Sequence, residues 1–176
     1  MIECQRLCCL FFRYLNTFPK SSSLFVYNIT RDSWDTLDTP TEGYALVTYL
    51  SQLVLVGGTD PATGWPTNQL WVLNNNDNWT QPHNPMPTSR LGASAVSVGK
   101  HLIVAGGFGD LNSLDVVEVY DGHQWKRAQY LPRACYWMKS ALHKGNWYLV
   151  GGVDQYREVF LHLPKIPDSY HTICGC

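Results

Sequence analysis

The chain has 176 residues, a net charge of −1, 15% charged side chains and 13% aromatics. That length supports one sizeable core, and the sparse charge argues against a disordered chain. No lysine or arginine cluster offers an electrostatic footprint for nucleic acid, and no run approaches the roughly 20 apolar residues of a spanning helix.

The first 22 residues fit no pattern found later. The start, MIECQRLCCLFFRYL, carries Glu3 and a short apolar stretch broken by Arg13, which makes a poor signal peptide. CCLFFRYL (8–15) has the composition of one strand. From residue 23 a repeat begins. LFVYN (24–28) and the stretch 33–37 with Trp34 read as two strands, a partial unit over 23–38. Asn28-Ile29-Thr30, like Asn78-Trp79-Thr80 further on, matches the glycosylation pattern, which matters only after secretion.

The next unit, 44–82, reads as four strands: YALVTYL (44–50), QLVLVGG (52–58), QLWVLN (69–74) and a last one with Trp79. The unit 91–129 has GASAVSV (92–98), HLIVAGG (101–107), DVVEVYD (115–121) and Trp125. The last, 135–164, has CYWMKSAL (135–142), NWYLVGG (146–152) and REVFLHLP (157–164), with no Trp after it. Residues 165–176 form a tail. The glycine doublets Gly57-Gly58, Gly106-Gly107 and Gly151-Gly152 recur every 45–49 residues, and Trp34, Trp79 and Trp125 every 45–46. A proline-containing stretch precedes each first strand (DTPTEG, NPMPTSR, YLPRA). Such a period marks stacked supersecondary units. Short β-branched and aromatic runs with tight linkers at SQ (51–52), GK (99–100) and KGN (144–146) predict antiparallel four-stranded blades.

The doublets are expected where backbones crowd, and the Trp and Tyr residues (Tyr27 and Tyr120 among them) where sheet packs on sheet. The segments after each doublet, TDPATGWPTN, FGDLNS and VDQYR, are expected to be loops on one face.

These markers resemble the kelch-repeat family of β-propellers, most closely in HLIVAGG…VEVYDGHQW from His101 to Trp125. Leu73 and Phe160 stand where the family places its Tyr. The resemblance covers roughly 23–164 and implies an all-β, kelch-type propeller. Two, four, four and three strands fall short of the 4–8 blades of a closed ring. The expectation is therefore an incomplete propeller: a fragment of a longer chain, a non-functional gene fragment, or a chain that self-associates to complete a ring.

The resemblance implies a non-catalytic module binding a protein or peptide through its loops. One narrower reading is the substrate-recognition part of a cullin ubiquitin ligase adaptor, whose BTB region does not fit in residues 1–22. A reading of another class is a kelch-like sugar-modifying enzyme of mutarotase type. Arg90 and Arg133, each ending a proline stretch, are candidate partner-binding residues, because the guanidinium fork pairs with carboxylates. The rival role is to tie neighbouring blades. Trp65, Phe108 and Tyr156 are candidates of the same loop class.

No catalytic, cofactor or metal site is expected. The six histidines lack triad or HExxH spacing, and GFGDLN (107–112) lacks the third glycine and helix of a dinucleotide site. His171, Cys174 and Cys176 fall short of four zinc ligands. The ending Cys174-Gly175-Cys176 resembles that of a prenylated Rab-type GTPase without the GTPase, and Cys8-Cys9 is a palmitoylation pattern at most. Cys135 and Tyr136 are adjacent and point to opposite faces, unlike the cross-linked pair of copper-oxidase propellers. With five of six cysteines near the termini, reduced thiols and a cytoplasmic location are expected.

Overall fold

A computed structural model describes residues 23–156. CCLFFRYL, REVFLHLP, Phe160, the terminal cysteines and the tail lie outside the described residues. The described residues form twelve strands and no helix. They divide into two compact units with the boundary after Asp38.

The first unit holds one hairpin, β1 (Ser23–Asn28) with β2 (Ser33–Asp38). Asn28 Oδ1 caps the turn by accepting from the Thr30 and Arg31 amides, and the Tyr27 hydroxyl donates to Asp32. Trp34 was expected to join a sheet-on-sheet core. Here it stacks on its cross-strand partner Tyr27, ring centroids 4.9 Å apart, and stays 68% exposed. A two-stranded hairpin has no second sheet of its own to cover it.

The second unit holds three sheets. The first is β3 (Ala45–Tyr49), β4 (Gln52–Val56), β5 (Leu70–Leu73) and β6 (Trp79–Thr80), antiparallel in chain order. The second repeats it with β7 (Ser94–Val98), β8 (His101–Ala105), β9 (Val117–Tyr120) and β10 (Trp125–Arg127). The third has β11 (Lys139–His143) and β12 (Asn146–Val150). The first strands β3, β7 and β11 lie side by side.

Two cores fill the joints between these sheets. Val54, Val56, Leu70 and Val72 of one sheet meet Leu102, Val104 and Tyr120 of the next, with Met86 from the connection between them. Ala105 and Val117 then meet Trp147 and Leu149, with Leu131, Cys135 and Met138 from the next connection. Period-2 alternation sends one side of a strand forward and the other back, so a middle sheet is apolar on both faces.

The first two doublets each sit at such a joint. The Gly58 amide donates to the Arg90 carbonyl (2.9 Å), and the Gly107 amide to the Cys135 carbonyl (2.9 Å). The six doublet glycines have φ from 63 to 105°, a region that side chains disfavour. A Cβ on Gly106 would stand 2.4 Å from the Cys135 carbonyl oxygen.

The first hairpin of the 44–82 unit turns one residue earlier than expected, while Gly99–Lys100 and Lys144–Gly145 fall where the linkers GK and KGN predict them. Its two-residue turn is Leu50–Ser51, and Leu50, Ser51 and Lys144 take positive φ (48, 64 and 48°). Leu50 and Ser51 supply no glycine, so the sequence hid the turn. Each left-handed non-glycine residue costs roughly 1–2 kcal/mol. The pair Leu50→Asn with Ser51→Gly, the preferred residues for this turn, is expected to add about 1 kcal/mol of stability. Thermal melting followed by circular dichroism should rise by roughly 2–4 °C; a fall would mean that Leu50 holds the turn through packing.

Candidate interaction face

The strand-to-strand connections after each doublet emerge at one end of the sheets. There, isolated bridges mark equivalent places: Glu42 with Thr59, Leu91 with Phe108, and Tyr136 with Val153. One residue further on, Gly43, Gly92 and Trp137 form a ladder across the three sheets. The Gly92 amide donates to the Gly43 carbonyl and the Trp137 amide to the Gly92 carbonyl, both at 2.7 Å. All three have φ near +60°.

Trp137 thus occupies a position filled by glycine in the two preceding units. Its indole lies over both: a Cβ on either Gly43 or Gly92 would stand 3.0 Å from the ring. A bulky residue at such a φ is an outlier, and backbone strain of this kind gathers at functional sites. The kink also explains why β11 begins at Lys139 rather than at the start of CYWMKSAL, Cys135. Tyr136 turns its ring between Phe108 (5.3 Å between centroids) and Trp137 (6.3 Å). Sequence reading missed both aromatics. Aligning TEGYALV, RLGASAV and CYWMKSA would have exposed a Trp at a glycine position. Trp137→Gly relieves strain but uncovers two glycines. The two effects offset to within about 1 kcal/mol, so urea unfolding should hardly move; a loss above about 3 kcal/mol would mean that the ring is core.

The expected loop residues distribute as follows. Trp65 is exposed on a compact loop between β4 and β5, where the Asp60 amide donates to the Trp65 carbonyl (2.9 Å) and Asp60 Oδ1 accepts from the Ala62 amide (2.8 Å). Phe108 is half-buried under Tyr136. Tyr156 is 77% exposed, and Leu111, unforeseen, is 80% exposed. The Gln155 amide donates to Ser113 Oγ (3.2 Å), which joins the Tyr156 and Leu111 loops. Arg133 is half-exposed and ion-paired to Asp154 at 3.0 Å.

Arg90 is the correction. Its side chain is fully buried. The guanidinium meets Glu118 Oε2 at 2.6 Å and donates to the Gly106 and Val116 carbonyls at 2.8 and 2.9 Å. Glu118 Oε1 accepts from the Thr88 hydroxyl (2.7 Å). Burial pulls the arginine below its ordinary value, and the adjacent Glu118 carboxylate opposes it. On the main chain, Arg90 accepts from the Gly58 amide and donates to the Thr67 carbonyl of the preceding sheet. It therefore ties two sheets. The same main-chain hydrogen bonds make Arg90 and Cys135 equivalent, not Arg90 and Arg133, and Thr41 stands at the matching place, one residue before the Glu42 bridge; all three are buried.

Among the described residues no group of three or more His, Cys, Asp or Glu is placed to hold a metal ion. Burial pushes the Cys135 thiol up to about 11, which suits a packed side chain rather than a nucleophile. No helix among the described residues is long and apolar enough to cross a membrane.

Four-stranded antiparallel sheets packed face to face, with their first strands side by side, define the β-propeller class of blade. Residues 89–132 match the Kelch motif. No curated protein matches the sequence. Among solved structures the chain is similar to YjhT, with a TM-score of 0.67 and 19% identity, over 83% of this chain and 50% of that one. The likeness is one of fold, and the chain spans half the length of that structure.

Proposed function

We propose that the chain is a non-catalytic interaction module that holds a protein or peptide against the loop end of its blades. The observation that carries this is the gathering of exposed Trp65, Leu111, Trp137 and Tyr156 at one end, on segments outside the strand framework. Exposed aromatics on a rigid scaffold supply contact area at low entropic cost, and they are enriched among residues that dominate binding. The kelch-type repeat supports the same reading. The one arginine on this end with exposed surface, among the residues expected there, is Arg133, held in place by Asp154.

The test is quantitative affinity capture on the full chain and on Trp65→Ala, Trp137→Gly and Tyr156→Ala. Removing a central aromatic typically costs about 2 kcal/mol or more, some thirtyfold in affinity. Partners retained by the wild-type chain should be lost from at least two of the variants at unchanged stability. Undiminished capture by all three would place the binding surface elsewhere.

A further inference from the structure

The two connections between successive sheets differ in one place. Met86 and Leu131 hold equivalent positions, since their amides donate to the Asn68 and Asp115 carbonyls, each just ahead of the third strand of its sheet. The chain takes one residue more to reach Met86 from Trp79 than to reach Leu131 from Trp125. Counting on from each Trp, Pro82 stands where the second connection has Ala128, whose amide donates to the Val117 carbonyl (2.9 Å). Proline has no amide to give, so the pairing of β5 with β6 ends early and the chain bulges.

The bulge carries His83 and Asn84 into the first joint. The His83 ring stands steeply against Tyr49 of β3 and Tyr120 of β9, with centroids 5.9 and 5.6 Å away. Its Nε2 is buried with no hydrogen-bond partner among the described residues. Both phenols are committed as donors, Tyr49 to the Lys100 carbonyl and Tyr120 to the Gly122 carbonyl, each at 2.9 Å. Asn84 fastens the segment: its Nδ2 donates to the His123 carbonyl (3.2 Å), and its own carbonyl accepts from Trp125 Nε1 (3.0 Å). These contacts lie by the β7–β8 and β9–β10 turns, at the end of the sheets away from the interaction face.

A ring so placed is stable only while neutral. Protonation turns both nitrogens into donors and puts a charge where Nε2 already lacks a partner, and an unpaired charge is costly to bury. Among the described residues, the charged and titratable groups on the elements around it are Tyr49 on β3, Lys100 and His101 at the β7–β8 turn, Glu118 and Tyr120 on β9, and Asp121, His123, Lys126 and Arg127 on the turn and β10; β4 and β5 carry none, and Asp77 precedes the segment itself. Glu118 is engaged by Arg90, and Asp121 by the His123 and Gln124 amides and Lys126. Burial holds the His83 imidazole below its ordinary value. Above about 6.5 the ring is neutral whether packed or released, so the contact is at full strength. As pH falls below that, the released ring takes up a proton first, and the packed arrangement loses stability.

We propose that residues 81–85 form an acid-released latch: protonation expels His83 from between Tyr49 and Tyr120, frees Asn84 from the β9–β10 hairpin and opens the joint of these two sheets at this end, with the strands still paired.

Nuclear magnetic resonance of the full chain between pH 7.5 and 5 tests this. His83 should titrate below the ordinary histidine value. In step with it, exchange of the Trp125 indole N–H with water, corrected for the intrinsic rate, should rise about tenfold, while the amides of β4 and β8 stay protected. His83→Phe keeps an aromatic ring that takes up no proton, so its Trp125 exchange should be the same at both pH values. The wild-type titration reads the proposal even where that variant does not fold. His83 titrating at or above its ordinary value, Trp125 exchange that ignores pH, or the same acid response in His83→Phe would each overturn the latch. Loss of β4 and β8 protection together with Trp125 would overturn it too, because the event would then be global unfolding.

Discussion

Replacing Arg90 with methionine should cost about 3–5 kcal/mol, the usual penalty for leaving one partner of a buried ion pair alone. Glu118 would remain fully buried without its ion-pair partner, the Gly106 carbonyl would lose the guanidinium, and the Val116 carbonyl would keep only the Gly106 amide as donor. At roughly 2–4 °C per kcal/mol for a chain of this size, the melting point should fall by roughly 6–20 °C. The double change Arg90→Met with Glu118→Leu should recover most of that, because apolar groups of similar volume replace the pair and remove the uncompensated charge. Urea unfolding of both variants measures the difference. A single variant within about 1 kcal/mol of wild type would show that water reaches Glu118 and that the pair is not closed. The outcome also bears on any binding assay: loss of a partner in an Arg90 variant reports unfolding, not a lost contact.

Gly58→Ala should be nearly as damaging, and Gly64→Ala mild. Both glycines have positive φ, 105° and 76°. A Cβ on Gly58 would stand 2.2 Å from Thr41 Oγ1 and 2.5 Å from the Glu42 carbonyl oxygen. Thr41 cannot step aside without cost, since its hydroxyl bridges the Gly57 and Thr59 carbonyls. The Gly58 amide bond to Arg90, which joins two sheets, would be displaced with it. A Cβ on Gly64 meets nothing within 4 Å, so that variant carries only the cost of the left-handed backbone, roughly 1–2 kcal/mol. Gly58→Ala should exceed this by about 2 kcal/mol or more, as overpacked sites do. Equal effects in thermal melts would mean that the doublet is there for backbone conformation alone.

These two sites mark the boundary of what could be read beforehand. The doublets were legible because a requirement for no side chain leaves glycine as its trace, at every repeat. The role of Arg90 was not, because a guanidinium at the end of a proline stretch looks the same whether it faces water or Glu118, 28 residues away. Proximity to the proline stretch suggested Arg133 as its counterpart; the inter-sheet hydrogen bonds give Cys135 instead. Leu50 and Trp137 adopt backbone conformations that their side chains disfavour, so local propensity pointed away from both. Of the loop candidates, Trp65 and Tyr156 are exposed, whereas Phe108 supports Tyr136 from below.

The sequence by itself determined the period, the strand order within each unit and the end at which the loops gather, because these follow from alternation, turn residues and glycine spacing. Which polar residue is buried and which aromatic stands on the glycine ladder came only from the tertiary structure. Those depend on contacts between residues tens of positions apart, and no local pattern records them.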